Sequence, residues 1–354
     1  MPLIDAIGPA RVLAFVGLAK NTGKTTALTG VIRQADARGE RLGVTSVGRD
    51  GEAFDVLDHK IRKPAVHLPA GSLVATTDHL LRASPVAYRI VDRPGHRTAM
   101  GEVVVARTTE PGPIEVAGPS TGLGSREVAE VMLGHGCDRV LIDGSIDRRA
   151  TASAAVADGV VLATGAVLGP DAETVARRTR DAVRLFRLPL LDDARVRAAA
   201  LASAGSVLLT GTHRPVAIGK PAMLGDDEAA LRGLFSQYPD AFGVLVRGPL
   251  CRGFTDGLLR AREARGQTGA ADTDAMTVVV EDATDVFLSG REIAACARRG
   301  VRLVALRRAE LLALVVNPTA PPTHCIPDLV AHIRAAVPDV PVFDVVEAGS
   351  AAAS

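Results

Sequence analysis

The side chains with most chemistry to offer cluster near the start of the chain: Gly17, Lys20, Asn21, Thr22, Gly23, Lys24, Thr25 and Thr26, in the string Gly-Leu-Ala-Lys-Asn-Thr-Gly-Lys-Thr-Thr. Their order suits a polyphosphate. A glycine at 23 lets backbone amides turn inward with no Cβ in the way. A helix starting there points its unpaired N–H groups and the positive end of its dipole at an anion. Lys24 is then placed for the β and γ phosphates, and the Thr25 hydroxyl for a Mg²⁺. Lys20 adds a second cation. The usual spacing puts a glycine five positions before Gly23, but Leu18 stands there and the glycine is Gly17. The loop reads as one residue longer than usual, or as a variant cradle.

Such a loop needs a strand before it and a helix after it. Residues 11–16 are a short apolar run of strand character, and residues 27–37 read as helix. The metal and an attacking water need acids, and two further strands end in them. Residues 41–48 run into Arg49-Asp50-Gly51-Glu52. Ligands of open α/β sheets gather at the carboxyl ends of strands, so Asp50 and Glu52 are candidates to orient a water or an acceptor, and Asp50 also to meet the metal. Residues 137–143 form another strand, where Asp143 before Gly144 is placed to hold Mg²⁺ directly or through water. Just beyond it, Arg148 is a candidate to stabilise charge on a transferring phosphate. The catalytic candidates are thus Lys24, Asp50, Glu52 and Arg148, and the metal candidates Thr25, Asp50 and Asp143.

Composition narrows the classes. A chain of 354 residues with 47% hydrophobic content can bury a large core and is expected to form two domains. The 41 basic and 40 acidic residues give a net charge of +1 with no long basic block, so no nucleic-acid partner is implied. No apolar run reaches membrane-span length and no signal peptide is evident, so no membrane partner is expected either. Cys137, Cys251, Cys296 and Cys325 are widely separated and form no metal-ligand spacing, which suits buried thiols in a reducing, cytoplasmic setting. His324 beside Cys325 has no placed third group and is not read as a nucleophile.

The expected fold class is α/β: a P-loop NTPase three-layer sandwich with a mostly parallel sheet, plus a second smaller α/β domain. The first domain is expected over 1–204. It includes a less periodic insertion at about 53–100 that carries Lys60, Arg62 and Lys63 and one short helix near residues 78–82. Strands are expected at 101–107, 113–118 and 158–165, a helix at 126–134 capped by Ser125, and an amphipathic helix at 173–188. The second domain is expected over 205–346, with strands near 206–210, 242–246, 275–280, 301–306, 311–316 and 342–346. It is expected to provide a partner surface or specificity. Residues 347–354 are expected to be a flexible tail.

The residues point to a Mg²⁺–ATP hydrolase or phosphoryl-transfer protein. ATP is preferred to GTP because no Asn-Lys-x-Asp string is present. The strings Gly17-Leu-Ala-Lys-Asn-Thr-Gly-Lys-Thr-Thr26, Thr45-Ser-Val-Gly-Arg-Asp-Gly-Glu52, Gly101-Glu-Val-Val-Val105, Glu115-Val-Ala-Gly-Pro119, Leu141-Ile-Asp-Gly-Ser-Ile-Asp-Arg148 and Leu162-Ala-Thr-Gly-Ala166 resemble the small reactivase subunit of the lysine 5,6-aminomutase system. That family has a phosphate-loop domain related to dethiobiotin synthetase and to molybdopterin-guanine dinucleotide accessory proteins. The resemblance implies an ATP-dependent chaperone that helps expel damaged cobalamin from an adenosylcobalamin-dependent aminomutase, together with a second reactivase subunit of the mismatch-repair ATPase type. It places the family's phosphate-loop residues on Gly23, Lys24 and Thr25, and its strand-end acid on Asp143. A homodimer is kept among the expected assemblies. Two alternatives stand beside this reading: an ATP-dependent ligase or kinase of the dethiobiotin synthetase type, and a nucleotide-gated scaffold that does not hydrolyse.

Overall fold

The computed structural model describes residues 1–47, 65–144, 153–211, 215–218, 228–266, 275–320 and 324–349. The chain forms two compact units, one of Met1–Arg180 with Ala309–Ser354 and one of Asp181–Arg308.

The first unit is built on one large sheet. Its order is Val342–Asp344, Glu310–Asn317, Gly159–Gly165, Val12–Gly17, Arg139–Asp143, Leu42–Ser46, Leu73–Thr77, Gly101–Thr108 and Tyr88–Asp92, with Arg97–Thr98 paired off this path to Gly101–Thr108. The first seven strands run parallel, and the others are antiparallel additions at one edge. The central strands have no polar face: every residue of Val12–Gly17 and of Gly159–Gly165 is buried. A parallel sheet with both faces covered requires that pattern. Leu13, Phe15 and Leu141 pack on one side with Leu28, Val31 and Ile32 of helix Lys24–Asp36. Val12, Val140 and Ile142 pack on the other with Val128, Ala129 and Met132 of helix Gly122–Gly134. The period-two alternation of strand side chains thus makes three layers from one apolar run.

The second unit is a smaller α/β body. Its sheet runs Val216–Ala217, Val207–Thr210, Ala241–Leu245, Met276–Val280 and Val301–Ala305, the last three parallel. Helices Glu228–Gln237 and Arg252–Gly266 supply Phe235, Phe254 and Leu258 to its core.

Several expectations need correction. The division is not 1–204 and 205–346. Strands Glu310–Asn317 and Val342–Asp344 leave the second half and extend the first unit's sheet beside Gly159–Gly165, because their apolar runs find two-sided burial there. The segment 53–100 is not simply an insertion. Leu73–Thr77 is buried at all five positions and pairs with Leu42–Ser46, so it belongs to the main sheet. Residues 113–118 yield only the short strand Gly112–Ile114, paired with Val66–Leu68. The helix expected from 126 starts at Gly122, and its cap is Thr121, whose hydroxyl accepts from the Gly124 N–H, rather than Ser125. Ser125 instead donates its hydroxyl to the Thr121 carbonyl. The tail expected from 347 is helical through Gly349, in the segment Val345–Gly349, with Ala348 1% exposed.

Candidate functional site

The site starts where the strand Val12–Gly17 ends. Gly17 is still in the sheet, paired with Ala163, and the Leu18 N–H donates to the Ala163 carbonyl at 2.9 Å. The chain then leaves the sheet in a turn. The Thr22 hydroxyl donates to the Ala19 carbonyl at 3.0 Å, and Asn21 takes a left-handed φ of 64°. Gly23 follows at φ 87° and opens helix Lys24–Asp36. Gly23 at the N-cap has no side chain with which to cap this helix, and no acid lies in its first turn. Its first N–H groups are therefore left to an anion. The helix starts at the Gly-Lys-Thr, as the phosphate-loop pattern expects, three residues before the helical run read at 27–37, because Lys24, Thr25 and Thr26 carry no periodic apolar signal.

Lys24 points back across the sheet. Strand Arg139–Asp143 is the direct neighbour of Val12–Gly17, with Asp143 in register with Phe15. Lys24 Nζ lies 2.6 Å from Asp143 Oδ1 and donates to the Gly144 carbonyl. Both side chains are largely buried, 19% and 16% exposed. The strand-end acid and the loop lysine, more than a hundred positions apart in the chain, meet here as an ion pair.

A cavity of about 630 Å³ opens over this loop. One wall is residues 19–26, so Lys20, Asn21, Thr22, Gly23, Lys24, Thr25 and Thr26 all line it. Gly17, expected among the binding residues, does not, because it is spent on the sheet. The other wall is Asn317, Thr319, Ala320, His324 and Cys325, which sequence reasoning missed. They come from the end of strand Glu310–Asn317 and from a two-strand ladder of Thr319–Ala320 with His324–Cys325. Asn317 ties the two walls together. Its amide donates to the Asn21 carbonyl at 2.8 Å, while its Oδ1 accepts from the Thr319 N–H and hydroxyl at 3.1 and 2.8 Å. A polar residue and a proline directly after an apolar strand were the available signal.

The donor set suits Mg²⁺. Asp143 Oδ1 is shut off from solvent and, although Lys24 is close, accepts no well-angled hydrogen bond among the described residues. Thr25 brings a second hard oxygen to the loop. Among the described residues no group of three or more His, Cys, Asp or Glu side chains is arranged to hold a metal. An ion carried by a triphosphate needs only one or two protein oxygens beside phosphate and water, and the residues present fit that ion. Asp50, Glu52 and Arg148, together with Lys60, Arg62 and Lys63, lie outside the described residues. Among the described residues no helix is long and apolar enough to cross a membrane.

No family model matches the chain, and no curated protein matches it. Among solved structures, that of pNOB8 ParA bound to nonspecific DNA is similar at 13% identity, covering 84% of this chain and 86% of that one, with a TM-score of 0.27. A likeness at that level carries no argument about ligand or activity.

Proposed function

We propose that this chain binds Mg²⁺–ATP at the Lys24 loop and uses it as a cytoplasmic chaperone that reactivates an adenosylcobalamin-dependent aminomutase, acting with a second reactivase subunit of the mismatch-repair ATPase type. The observation that carries the nucleotide reading is Lys24 Nζ at 2.6 Å from Asp143 Oδ1, beside the uncapped helix start at Gly23. The aminomutase reading is supported by the sequence strings quoted above.

In this reading the amides after Gly23 take the phosphates, Lys24 turns from Asp143 to the β and γ oxygens, and Thr25 and Asp143 hold the ion. Mg²⁺, when bound, supplies neutralisation of charge on the phosphate oxygens. Preorganised donors aimed at that charge stabilise a transition state by about 2.7–4 kcal/mol each. Asn317, Thr319 and His324 offer the opposite wall to the nucleoside, and Asp50, Glu52 and Arg148 remain the proposed water-orienting and charge-stabilising groups.

The test is ATP hydrolysis by the purified chain, with and without the second subunit and an aminomutase loaded with hydroxocobalamin. The reading expects hydrolysis stimulated by the client, with release of cobalamin into solution. Hydrolysis that instead requires a small acid or amine would assign the chain to the ligase or kinase class. Tight ATP binding with no hydrolysis under any condition would leave a scaffold. Sedimentation of the chain with ATP tests the expected homodimer.

A further inference from the structure

Helix Lys24–Asp36 carries a glycine in its second turn, and that bare spot is occupied. A Cβ on Gly30 would overlap the Ala348 carbonyl oxygen and come within 3.0 Å of Gly349 Cα. One turn further along, the buried Gln34 donates its amide to the same Ala348 carbonyl at 3.5 Å, while its Oε1 accepts the Ile4 N–H at 3.0 Å. At the start of the helix, Val345 Cγ2 fills the space that a Cβ on Gly23 would need, and a Cβ on Gly349 would approach Thr26 Cγ2 to 2.8 Å. Positions 23, 26, 30 and 34 share one face of a helix. The segment Val345–Gly349 thus lies along the whole of that face, with Val345 8% and Ala348 1% exposed. It is delivered there by strand Val342–Asp344, and Asp344 Oδ1 accepts the Val346 N–H at 2.7 Å to start the turn.

We infer that Val345–Gly349 is a strap that holds the anion-binding conformation at Gly23, with Val345 as a positioning residue that sets phosphate affinity without touching the ligand. Gly23 sits at φ 87°, one of many conformations open to a residue with no side chain. Val345, packed where the missing Cβ would be, narrows that freedom before any ligand arrives. Order established in advance is order that binding need not create, so it appears as affinity. The phosphate part rests on the nucleotide reading above, whereas the ordering of the loop does not.

The experiment combines amide hydrogen exchange over residues 21–26 without added nucleotide, the affinity for a fluorescent ATP analogue with Mg²⁺, and the urea midpoint of the whole chain. The variants are Val345→Ala, Val345→Thr, Gly30→Ala and the control Val346→Ala, whose side chain is 73% exposed. Gly30→Ala is the decisive one, since alanine favours the helix over glycine yet its methyl must displace the strap. The strap account expects exchange over 21–26 to speed about tenfold in Val345→Ala and Gly30→Ala, with analogue affinity falling by a similar factor. It expects Val345→Thr, which keeps the side-chain shape, and Val346→Ala to stay near the parent, and it expects loop exchange not to track the urea midpoint. Unchanged loop exchange in both Val345→Ala and Gly30→Ala overturns it, as does a loss in Gly30→Ala explained wholly by a lower urea midpoint. If the parent chain fails to bind the analogue while loop exchange still responds, the nucleotide reading falls and the strap stands.

Discussion

Lys24, in the first turn of the helix that follows strand Val12–Gly17, faces Asp143 at the end of the neighbouring strand, the ammonium 2.6 Å from Oδ1, although that strand arrives much later in the chain. Adjacency in the sheet, rather than in sequence, makes this pair. The same adjacency leaves a buried carboxylate oxygen next to the loop, the oxygen that the proposed function assigns to Mg²⁺.

Asp143→Asn removes the charge on that oxygen while keeping its shape. Mg²⁺-dependent ATP turnover is expected to fall at least about a hundredfold, in line with about 2.7–4 kcal/mol for a lost electrostatic contact. Lys24 would be left largely buried without its counter-charge, so stability should also drop, by about 1–3 kcal/mol. Single-turnover hydrolysis and urea unfolding measure the two effects separately.

Gly23→Ala places a methyl group against Val345 at a left-handed φ of 87°. Left-handed backbone alone disfavours alanine by about 1–2 kcal/mol, and the overlap adds to it. A destabilisation of at least about 2 kcal/mol in urea unfolding is expected, together with loss of ATP-analogue binding.

Asn317→Ala cuts the 2.8 Å link to the Asn21 carbonyl. A net loss of about 0.5–1.5 kcal/mol is usual for one such bond. Asn21 is held at a positive φ in the loop itself, so the effect should show in analogue affinity more than in the urea midpoint. Equal affinity in parent and variant would remove Asn317 from the site.

How much of this was legible depends on range along the chain. The strand, loop and helix around Gly23 are contiguous, and local chemistry was enough to read them. Asp143 was legible because an apolar run ending in Asp-Gly is a local signal whose only non-local requirement, a seat beside the first strand, the sheet satisfies. Leu73–Thr77 was missed because five residues buried on both faces show no alternation to distinguish them from a short apolar patch. Strands Glu310–Asn317 and Val342–Asp344 were legible as strands but not as members of the first unit, since nothing in either run encodes its partner. The second wall of the cavity followed them out of sight. Thr121 displaced Ser125 as the helix cap because both can cap and only the backbone path chooses between them.

The second unit carries its own pH dependence. Burial, and then the charge of Asp282, push the Asp285 carboxyl up to about 6, with Arg247 opposing. The folded chain therefore holds this proton more tightly than the unfolded one. Stability from this group is greatest below the ordinary value of 3.8 and is lost as the pH rises to about 6. Asp285→Asn should remove that loss, gaining about 2 kcal/mol at pH 7 after allowance for solvent screening of a partly exposed group, and nothing below pH 4. Urea unfolding of parent and variant across this range gives the difference.

The most direct test of the central claim is equilibrium binding of a fluorescent ATP analogue to the parent chain and to Lys24→Ala, with Mg²⁺ and after its removal by EDTA, in samples whose circular dichroism is unchanged. The account predicts saturable binding by the parent, weakened about a hundredfold or more by Lys24→Ala and clearly reduced without Mg²⁺. Parent-like, metal-independent affinity in folded Lys24→Ala would contradict it.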